Sequence, residues 1–395
     1  MTPSVLALNG GSSSIKFAVY QTGDLPKRGL HGKLDRIGAR GTHLSVTDPG
    51  RDQQDDRALG DLDHSGAIQF LFDWLDAQIG LASIEAVGHR IVNGGAKYRE
   101  PQRVTTQLLE ELRGISAYAP GHLPSELAQI DLFRERLPNV QQVVCFDTTF
   151  HRDMPRVAKI VPIPRRFQTK GVERYGFHGL SYSFLMEELT RVAGSEAAHG
   201  RVILAHLGNG SSLAAVRGGN SIDTSMGFTP AAGLPMSTRS GDLDPGLIWY
   251  LARTEHMTAE QCHHMVNHES GLLGVSETSS DLRDLLAREG DDGRAAEAVA
   301  LFCYQVKKWI GAYAAALGGL DTLVFAGGIG ENAPMIRARI CEGLGFLGIE
   351  LDQARNEGSE PVISGGASRV EVRVIRTDEE MMIVKAVSVV LETSA

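Results

Sequence analysis

The chain has 395 residues and a formal net charge of -9 at pH 7, which argues against a general nucleic-acid surface. Its length accommodates two domains with ample cores, and its 45 glycines stand well above the roughly 7% of an average protein. Four widely spaced cysteines, Cys145, Cys262, Cys303 and Cys341, form no paired motif, which points to a reducing compartment and away from a zinc site or disulfide framework.

Val5-Leu-Ala-Leu-Asn9-Gly-Gly-Ser12-Ser-Ser14-Ile-Lys16-Phe-Ala-Val-Tyr20 opens the chain as a buried strand, a small polar glycine turn and a second strand. Glycine in such a turn lets backbone N–H groups approach an anion closely, because no Cβ stands in the way. Lys16 alternates with Ile15 and Phe17 and so points away from the core face. The opening strand follows neither a basic nor a long apolar leader, so no signal peptide is expected. No apolar run approaches the roughly 20 residues that span a bilayer. A soluble, cytoplasmic protein without a membrane partner is the expectation.

Residues 21 to 60 are polar and read as a hairpin and an exposed loop. Gln142 to Phe146 is a strand with Asp147 at its C-terminal end. Arg165, Arg166, Lys170 and Arg174 form a basic cluster interrupted by Glu173, which reads as a solvated loop. Val202-Ile-Leu-Ala-His206-Leu-Gly-Asn209-Gly210-Ser-Ser-Leu-Ala-Ala-Val216 then repeats the opening pattern of strand, glycine turn and strand. Two such segments half a chain apart suggest two related halves that share a phosphate ligand.

His264 and His268 are spaced i,i+4, but zinc needs further ligands, so an exposed helix end is expected there. Residues 287 to 297 read as a charged helix start. Leu323 to Ala326 is a strand followed by Gly327-Gly-Ile-Gly330, with Asn332 as N-cap of the next helix and Pro334 in its first turn. Val370 to Val374 alternates as a strand. Thr377-Asp-Glu379-Glu380 fits a capping box, with Thr377 as N-cap and Glu380 reaching back, before an apolar helix from Met381 to Leu391. Alternating strands and helices indicate an α/β architecture, in which ligands sit at the carboxyl ends of strands and phosphates at helix N-termini.

Phosphate turns alone do not name a reaction, and the P-loop and protein-kinase signatures are absent. The turns occur together with Gly88-His-Arg90-Ile-Val-Asn-Gly-Gly95, Phe146-Asp147-Thr-Thr-Phe-His151, Tyr175-Gly-Phe177-His178-Gly179 and Thr238-Arg239-Ser-Gly-Asp-Leu-Asp-Pro245. With the two opening segments and Thr377-Asp-Glu-Glu380, this ordered set closely resembles the acetate kinases, from residue 5 to about residue 385. That family belongs to the superfamily of acetate and sugar kinases, heat-shock chaperones and actin.

The resemblance implies two duplicated actin/ribonuclease-H-like α/β domains with a nucleotide cleft between them. The first would comprise 1–147 plus 381–395, with the C-terminal helix packing back. The second, 148–380, would carry nucleotide binding and dimerisation in a homodimer. The implied reaction is a reversible transfer of the ATP γ-phosphate to a short carboxylate, with Mg2+ as cofactor and Mn2+ able to substitute.

Phosphoryl transfer needs alignment and positive charge on the equatorial oxygens, and a planar guanidinium can hold carboxylate or phosphate in bidentate fashion. By resemblance Arg90 binds the acyl substrate, and Arg239 with His178 stabilises the transferring phosphoryl group. Asp147 belongs to the same site. The attacking carboxylate is already ionised, with a reference pKa near 4, so orienting Arg90 or a magnesium-bound water suits Asp147 better than proton transfer. Val92, Gly121, His122, Phe177 and Pro230 match the substrate pocket. Asn9 and Glu379 match the magnesium ligands, with Glu380 the neighbour that could take the second place. Ser12, Ser14 and Lys16 match nucleotide contacts, as do His206, Leu207, Gly208, Asn209 and Gly210. Asp281, Leu282 and Arg283 belong to that set, with Gly328, Ile329, Gly330, Glu331 and Asn332. His89 and His151 read as structural hydrogen-bonding residues.

The chain departs from the family pattern at Gly121, which replaces a pocket leucine and implies a wider acyl site. Leu123, Asn93 and Ser237 replace an asparagine, a histidine and a glycine. Propionate or butyrate as the acyl acceptor is therefore the alternative within the family. A non-catalytic, ATP-switched binding protein is a third reading, against which the set Arg90, His178 and Arg239 speaks.

Overall fold

The computed structural model describes residues 4–11, 13–23, 26–38 and 40–393. Ser12 lies outside the described residues. The chain divides into two compact units, one of Met1–Thr149, Gly179–Phe184 and Asp378–Ala395 and the other of Phe150–His178 and Leu185–Thr377.

The first unit is built on an eight-stranded sheet. Its strands are β1 (Ser4–Gly10), β2 (Ser14–Gln21), β3 (Lys27–Asp35), β4 (Thr42–Asp48), β5 (Gln53–Gly60), β6 (Ala86–Ile91), β7 (Gln102–Arg103) and β8 (Gln141–Phe146), in the order β5-β4-β3-β2-β1-β6-β8-β7. β1 pairs antiparallel with β2, placing Asn9 opposite Lys16, and parallel with β6, which pairs parallel with β8. Both faces of β1 are covered, so its apolar residues run unbroken and still sort by alternation. Leu6 and Leu8 join one core with Phe72 and Phe133, from the helices His64–Ile79 and Leu123–Arg136. Val5 and Ala7 join the other core with Ile383, Val384 and Val387 of the helix Glu379–Glu392.

Residues 53–60, expected as part of an exposed loop, are instead the edge strand β5. Its polar side chains stay exposed while its backbone pairs with β4. A polar, charged sequence is what a solvent-facing sheet edge tolerates, and it resembles a loop for the same reason.

The second unit carries a five-stranded sheet of β9 (Arg201–Leu207), β10 (Ser211–Arg217), β11 (Asn220–Thr224), β12 (Thr322–Ala326) and β13 (Glu371–Val374), in the order β11-β10-β9-β12-β13. The antiparallel pair β9 and β10 is followed by the parallel strands β12 and β13, as β1 and β2 are followed by β6 and β8. The two strand-turn-strand segments thus open two sheets that share one five-strand arrangement, β3-β2-β1-β6-β8 in the first and β11-β10-β9-β12-β13 in the second. Covering the second sheet is the helix Gly293–Leu317, started by Asp292 accepting from the Arg294 and Ala295 amides and stopped by left-handed Gly318.

Several local expectations change. The N-cap of the last helix is Asp378, which accepts from the Met381 amide. Thr377 does not cap it, and Glu380 is drawn to Asn9 rather than back along the helix. Asn332 ends the short helix Gly327–Asn332, donating to the Gly328 carbonyl, and the next helix starts at Pro334 after Ala333. Arg174 leaves the solvated loop of Arg165 to Lys170, donating to Ala158 and Thr224 carbonyls and pairing with Asp223 at 2.8 Å. His264 and His268 are exposed, with ring centroids 4.9 Å apart. All four cysteines are free and buried.

Gly88 on β6 lies directly under the last helix. A Cβ there would stand 2.3 Å from Ile383 Cγ2 and 2.8 Å from Val387 Cγ2. Gly88→Ala is expected to destabilise the protein by about 1–3 kcal/mol through overpacking, read from urea unfolding. Unfolding matching wild type within about 0.5 kcal/mol would contradict this close seating.

Candidate active site

In the first unit, site residues gather where β1, β6 and β8 end. Arg90, one residue before the end of β6, turns its guanidinium onto Asp147, directly after β8. Its Nε and Nη2 donate to Asp147 Oδ2 at 2.9 and 2.5 Å. Nη1 donates to the Gly10 carbonyl at the end of β1 (2.6 Å) and to Glu126 Oε1 (3.3 Å). Glu126 also accepts from the Val92 amide at 2.9 Å through Oε2. Arg90 is thereby held by three groups on three chain segments.

The electrostatics follow from this packing. Burial pulls the Arg90 guanidinium down, but Asp147 and Glu126 outweigh it and hold it above its ordinary value. Burial pushes the Glu126 carboxyl up to about 7, although Arg90 and the Val92 amide oppose the shift.

Glu126 is absent from the sequence-derived site. On the helix Leu123–Arg136 it looks like an ordinary first-turn acid, favoured near a helix N-terminus. The available signal is its spacing with Gln129 between Leu123, Leu127 and Ile130, which puts polar residues on a buried face. His122 sits at the N-cap of this helix and Val92 is buried. Gly121 lies in an exposed turn, and its Cβ position meets no atom within 4 Å.

The same unit brings Asn9, Lys16 and Glu379 together. Asn9 Nδ2 donates to Glu379 Oε2 at 2.6 Å and to Glu380 Oε1 at 2.9 Å. Lys16 Nζ lies 3.8 Å from Glu379 Oε2, and Arg28 lies 3.4 Å from both Glu380 Oε2 and Asp378 Oδ2. Burial first, and then the neighbouring Glu379, raise the Glu380 carboxyl above its usual range, against Lys16 and Arg28. Ser14 begins β2 beside the turn, its carbonyl accepting from Gly11 N at 2.7 Å.

His89 and His151 have structural partners. His89 contacts Gln142 Oε1 through Nε2 at 2.9 Å, and Gln129 through Nδ1. His151 bridges Ser221 Oγ and the Phe177 carbonyl. Burial drives both imidazoles down to about 4, so they are neutral.

In the second unit, the turn between β9 and β10 gathers His178, His206 and Arg239. His178 holds a left-handed backbone (φ 60) at the start of the helix Gly179–His199. Its Nδ1 pairs with Ser212 Oγ at 2.9 Å, and its ring lies 4.3 Å from that of His206. The Cβ position of Gly210 is 3.2 Å from His178 Nε2 and 3.6 Å from Arg239 Nη1. Arg239 Nη1 also donates to the Pro230 carbonyl at 3.0 Å. Phe177 is buried beside this group in sequence.

Asn209 joins the turn to the Arg239 loop, its carbonyl accepting from the Ser237 amide at 3.3 Å. The turn also meets the helix Gly327–Asn332. Gly327 (φ 75) lies against Leu207, where a Cβ would fall 2.7 Å from the Leu207 carbonyl oxygen, so glycine is required twice over. The Gly208 Cβ position is 3.9 Å from Gly328 N. Glu331 Oε1 accepts from Gly327 N at 2.9 Å and from Thr377 N at 3.2 Å. Ile329 packs partly against the core. Asp281 and Arg283 lie at the start of the helix Leu282–Arg288, paired at 2.5 Å, while Leu282 is buried.

Comparison with known proteins bears on what these two clusters do. Residues 4–385 match the acetokinase family. An acetate kinase of Rhodopseudomonas palustris is 42% identical over 392 residues, spanning 98% of this chain and 98% of that relative. A propionate kinase of Citrobacter rodentium is also 42% identical, over 394 residues, spanning 98% of this chain and 96% of the relative. Among solved structures, Porphyromonas gingivalis acetate kinase superposes with a TM-score of 0.86 at 36% identity, covering 98% and 100% of the two chains. A Francisella tularensis propionate kinase superposes with a TM-score of 0.88 at 33% identity, covering 97% and 98%.

Proposed function

The chain belongs to the acetokinase family, and from that membership we propose that it is an acetate kinase, transferring the γ-phosphate of ATP reversibly to acetate to give acetyl phosphate and ADP. It is a phosphotransferase with a carboxyl group as acceptor. The observation that carries the reading is Arg90, a guanidinium fixed at the strand ends by Asp147, Glu126 and the Gly10 carbonyl.

We assign Arg90, Val92, Gly121 and His122 to the acyl substrate. Acetate is ionised at neutral pH, so attack needs no general base. Asp147 acts by orienting Arg90, whose Nε and Nη2 both donate to one carboxylate oxygen, fixing the plane of the fork. We assign His178 and Arg239 to the transferring phosphoryl group. Their nitrogens flank Gly210, where positive charge and N–H donors can stabilise the equatorial oxygens as they spread charge. Backbone groups of His206 to Gly210 and Gly328 to Asn332, with Asp281 to Arg283, Ser14 and Lys16, are assigned to the nucleotide. The short helix at Gly327 presents amides, and Glu331 ties its first one down.

Among the described residues no group of three or more His, Cys, Asp or Glu side chains could by itself enclose a metal ion. The donors at Asn9 nevertheless fit magnesium. Two carboxylates, Glu379 and Glu380, converge on one amide, and such a pair of hard oxygens suits a cation completed by water and phosphate. We assign Asn9 and Glu379 as its holders. When bound, magnesium would neutralise charge on the nucleotide phosphates.

Propionate is the second reading, favoured by the 42% identity to a propionate kinase and by the lack of a side chain at Gly121. Buried methylene is worth about 0.8 kcal/mol, roughly fourfold per carbon, so propionate is expected to rival acetate in kcat/KM. Gly121→Leu is expected to restore acetate preference by on the order of tenfold. Strong discrimination against propionate in wild type, unaltered by Gly121→Leu, would remove this reading.

Arg90→Ala and Arg239→Ala are each expected to lose on the order of 10³-fold in turnover, with poor rescue by lysine. Hydroxylamine trapping of the acyl phosphate measures this, and near-normal turnover in a folded variant would take that arginine out of the site. A homodimer is the proposed assembly. A monomer in sedimentation at micromolar concentration would overturn it.

A further inference from the structure

We propose that Glu126 is a positioning residue for the acyl substrate: it sets the Arg90 fork and the Val92 amide with its two oxygens, and its charge opposes the incoming carboxylate. This rests on the assignment of Arg90 to that carboxylate.

The geometry has three parts. Glu126 is among the most buried carboxylates of the first unit, at 3% side-chain exposure. One oxygen lies on Arg90 Nη1 and the other on Val92 N–H, so a single side chain links the charged and apolar parts of the assigned acyl subsite. Its surroundings keep it in place. Glu126 Cγ lies 3.9 Å from the Cβ position of Gly10, and Gln129, one helical turn on, lies 3.5 Å from the same point and contacts His89.

Charge makes this arrangement consequential. Arg90 carries one positive charge and already faces Asp147 at 2.5 Å. With Glu126 ionised, the cluster has a net negative charge before any substrate arrives, and a substrate carboxylate adds another. With Glu126 protonated, the cluster is neutral and Glu126 becomes a hydrogen-bond donor able to face an anion.

Few other groups can alter this balance. On β6 the titratable neighbours are Arg90 and His89, and His89 is held neutral by burial. After β8 the neighbour is Asp147, His122 stands at the start of Glu126's own helix, and Glu379 of the last helix adds a constant negative charge felt by Arg90. The helices packed on the outside direct their charges elsewhere, Asp73 to Arg136 and Arg113 to Asp131. Burial holds the Glu126 carboxyl near about 7, far above the usual carboxylate range. A raised value means that it is neutral below that pH and ionises above it. Acyl-substrate binding is therefore expected to weaken as pH rises through neutrality, while acetate itself stays ionised throughout.

The test is the pH dependence of the acyl KM at saturating ATP, in wild type, Glu126→Gln and Glu126→Asp. The glutamine keeps an acceptor for the Val92 amide and removes the charge. Wild-type acyl KM is expected to rise several-fold from about pH 6 to about pH 8, with the change carried by KM rather than kcat and with the ATP KM level. Glu126→Gln is expected to flatten that rise, and Glu126→Asp to retain one. A wild-type acyl KM that does not rise, or a rise that survives in Glu126→Gln, overturns the proposal. If Glu126→Gln fails to fold, Glu126→Asp decides: loss of the rise with the charge retained overturns it. Arg90→Gln separates the underlying assignment. An unaltered acyl KM there overturns the role of Arg90 as well, whereas a large rise there beside an unresponsive Glu126→Gln overturns the role of Glu126 alone.

Discussion

A buried cation needs a fixed set of partners, and Arg90 is the residue whose need organises the first unit. Leaving a guanidinium among apolar groups without compensation costs several kcal/mol. Near the end of β6, that need is met from two other strand ends and one helix at once: Gly10 at the end of β1, Asp147 after β8 and Glu126 from the helix Leu123–Arg136. Parallel pairing of β1, β6 and β8 brings those ends into line. The sheet order is therefore the reason that residues distant in sequence can share one charge cluster. It is also the reason that the guanidinium cannot wander from the place where an anion would meet it.

The second unit fixes its helix by a different route. At its N-terminus the helix Gly327–Asn332 is bound by the Glu331 carboxylate, which accepts from Gly327 and Thr377 amides. Its C-terminal carbonyls, Gly330 and Glu331, accept from the buried Arg337. Arg337 has neutral partners in Asn356 and Ser359, and burial lowers its guanidinium below the ordinary value. A cation at a helix C-terminus complements the backbone dipole, so a six-residue helix, too short to be stable alone, is pinned at both ends. Its Gly327 seat against Leu207 then registers it to the β9–β10 turn.

The strand-turn-strand segments at 5–20 and 202–216, and Asp147 at a strand end, were legible in the sequence because apolar runs punctuated by glycine have few other readings. Motif likeness brought Arg90, His178 and Arg239 into view by type and order. What escaped the sequence were choices among chemically equivalent neighbours. Asp378 rather than Thr377 caps the last helix: either can accept from an amide, and Asp378 is the one that Tyr20 and Arg28 also hold. Polar residues 53–60 pair as a strand because β4 offers an open edge, a fact no local pattern contains. Glu126 looked like an exposed helical acid because its two partners lie 34 and 36 residues away. Arg174 left its basic cluster for carbonyls that only the fold supplies.

The duplicated topology makes these differences informative. In both sheets an antiparallel hairpin precedes two parallel strands, so β6 corresponds to β12 and β8 to β13. The first unit places a charged side chain, Arg90, beside one of these strand ends and its counter-charge, Asp147, after the other. Gly327, which follows β12, opens a helix of backbone amides, and the side chains of that segment serve to hold it. One copy of the fold thus concentrates side-chain charge, suited to a single carboxylate. The other exposes backbone donors, suited to phosphates that carry many oxygens. Two equivalent strand ends, one carrying side-chain charge and one carrying glycine, thus diverge without any change in the topology they share.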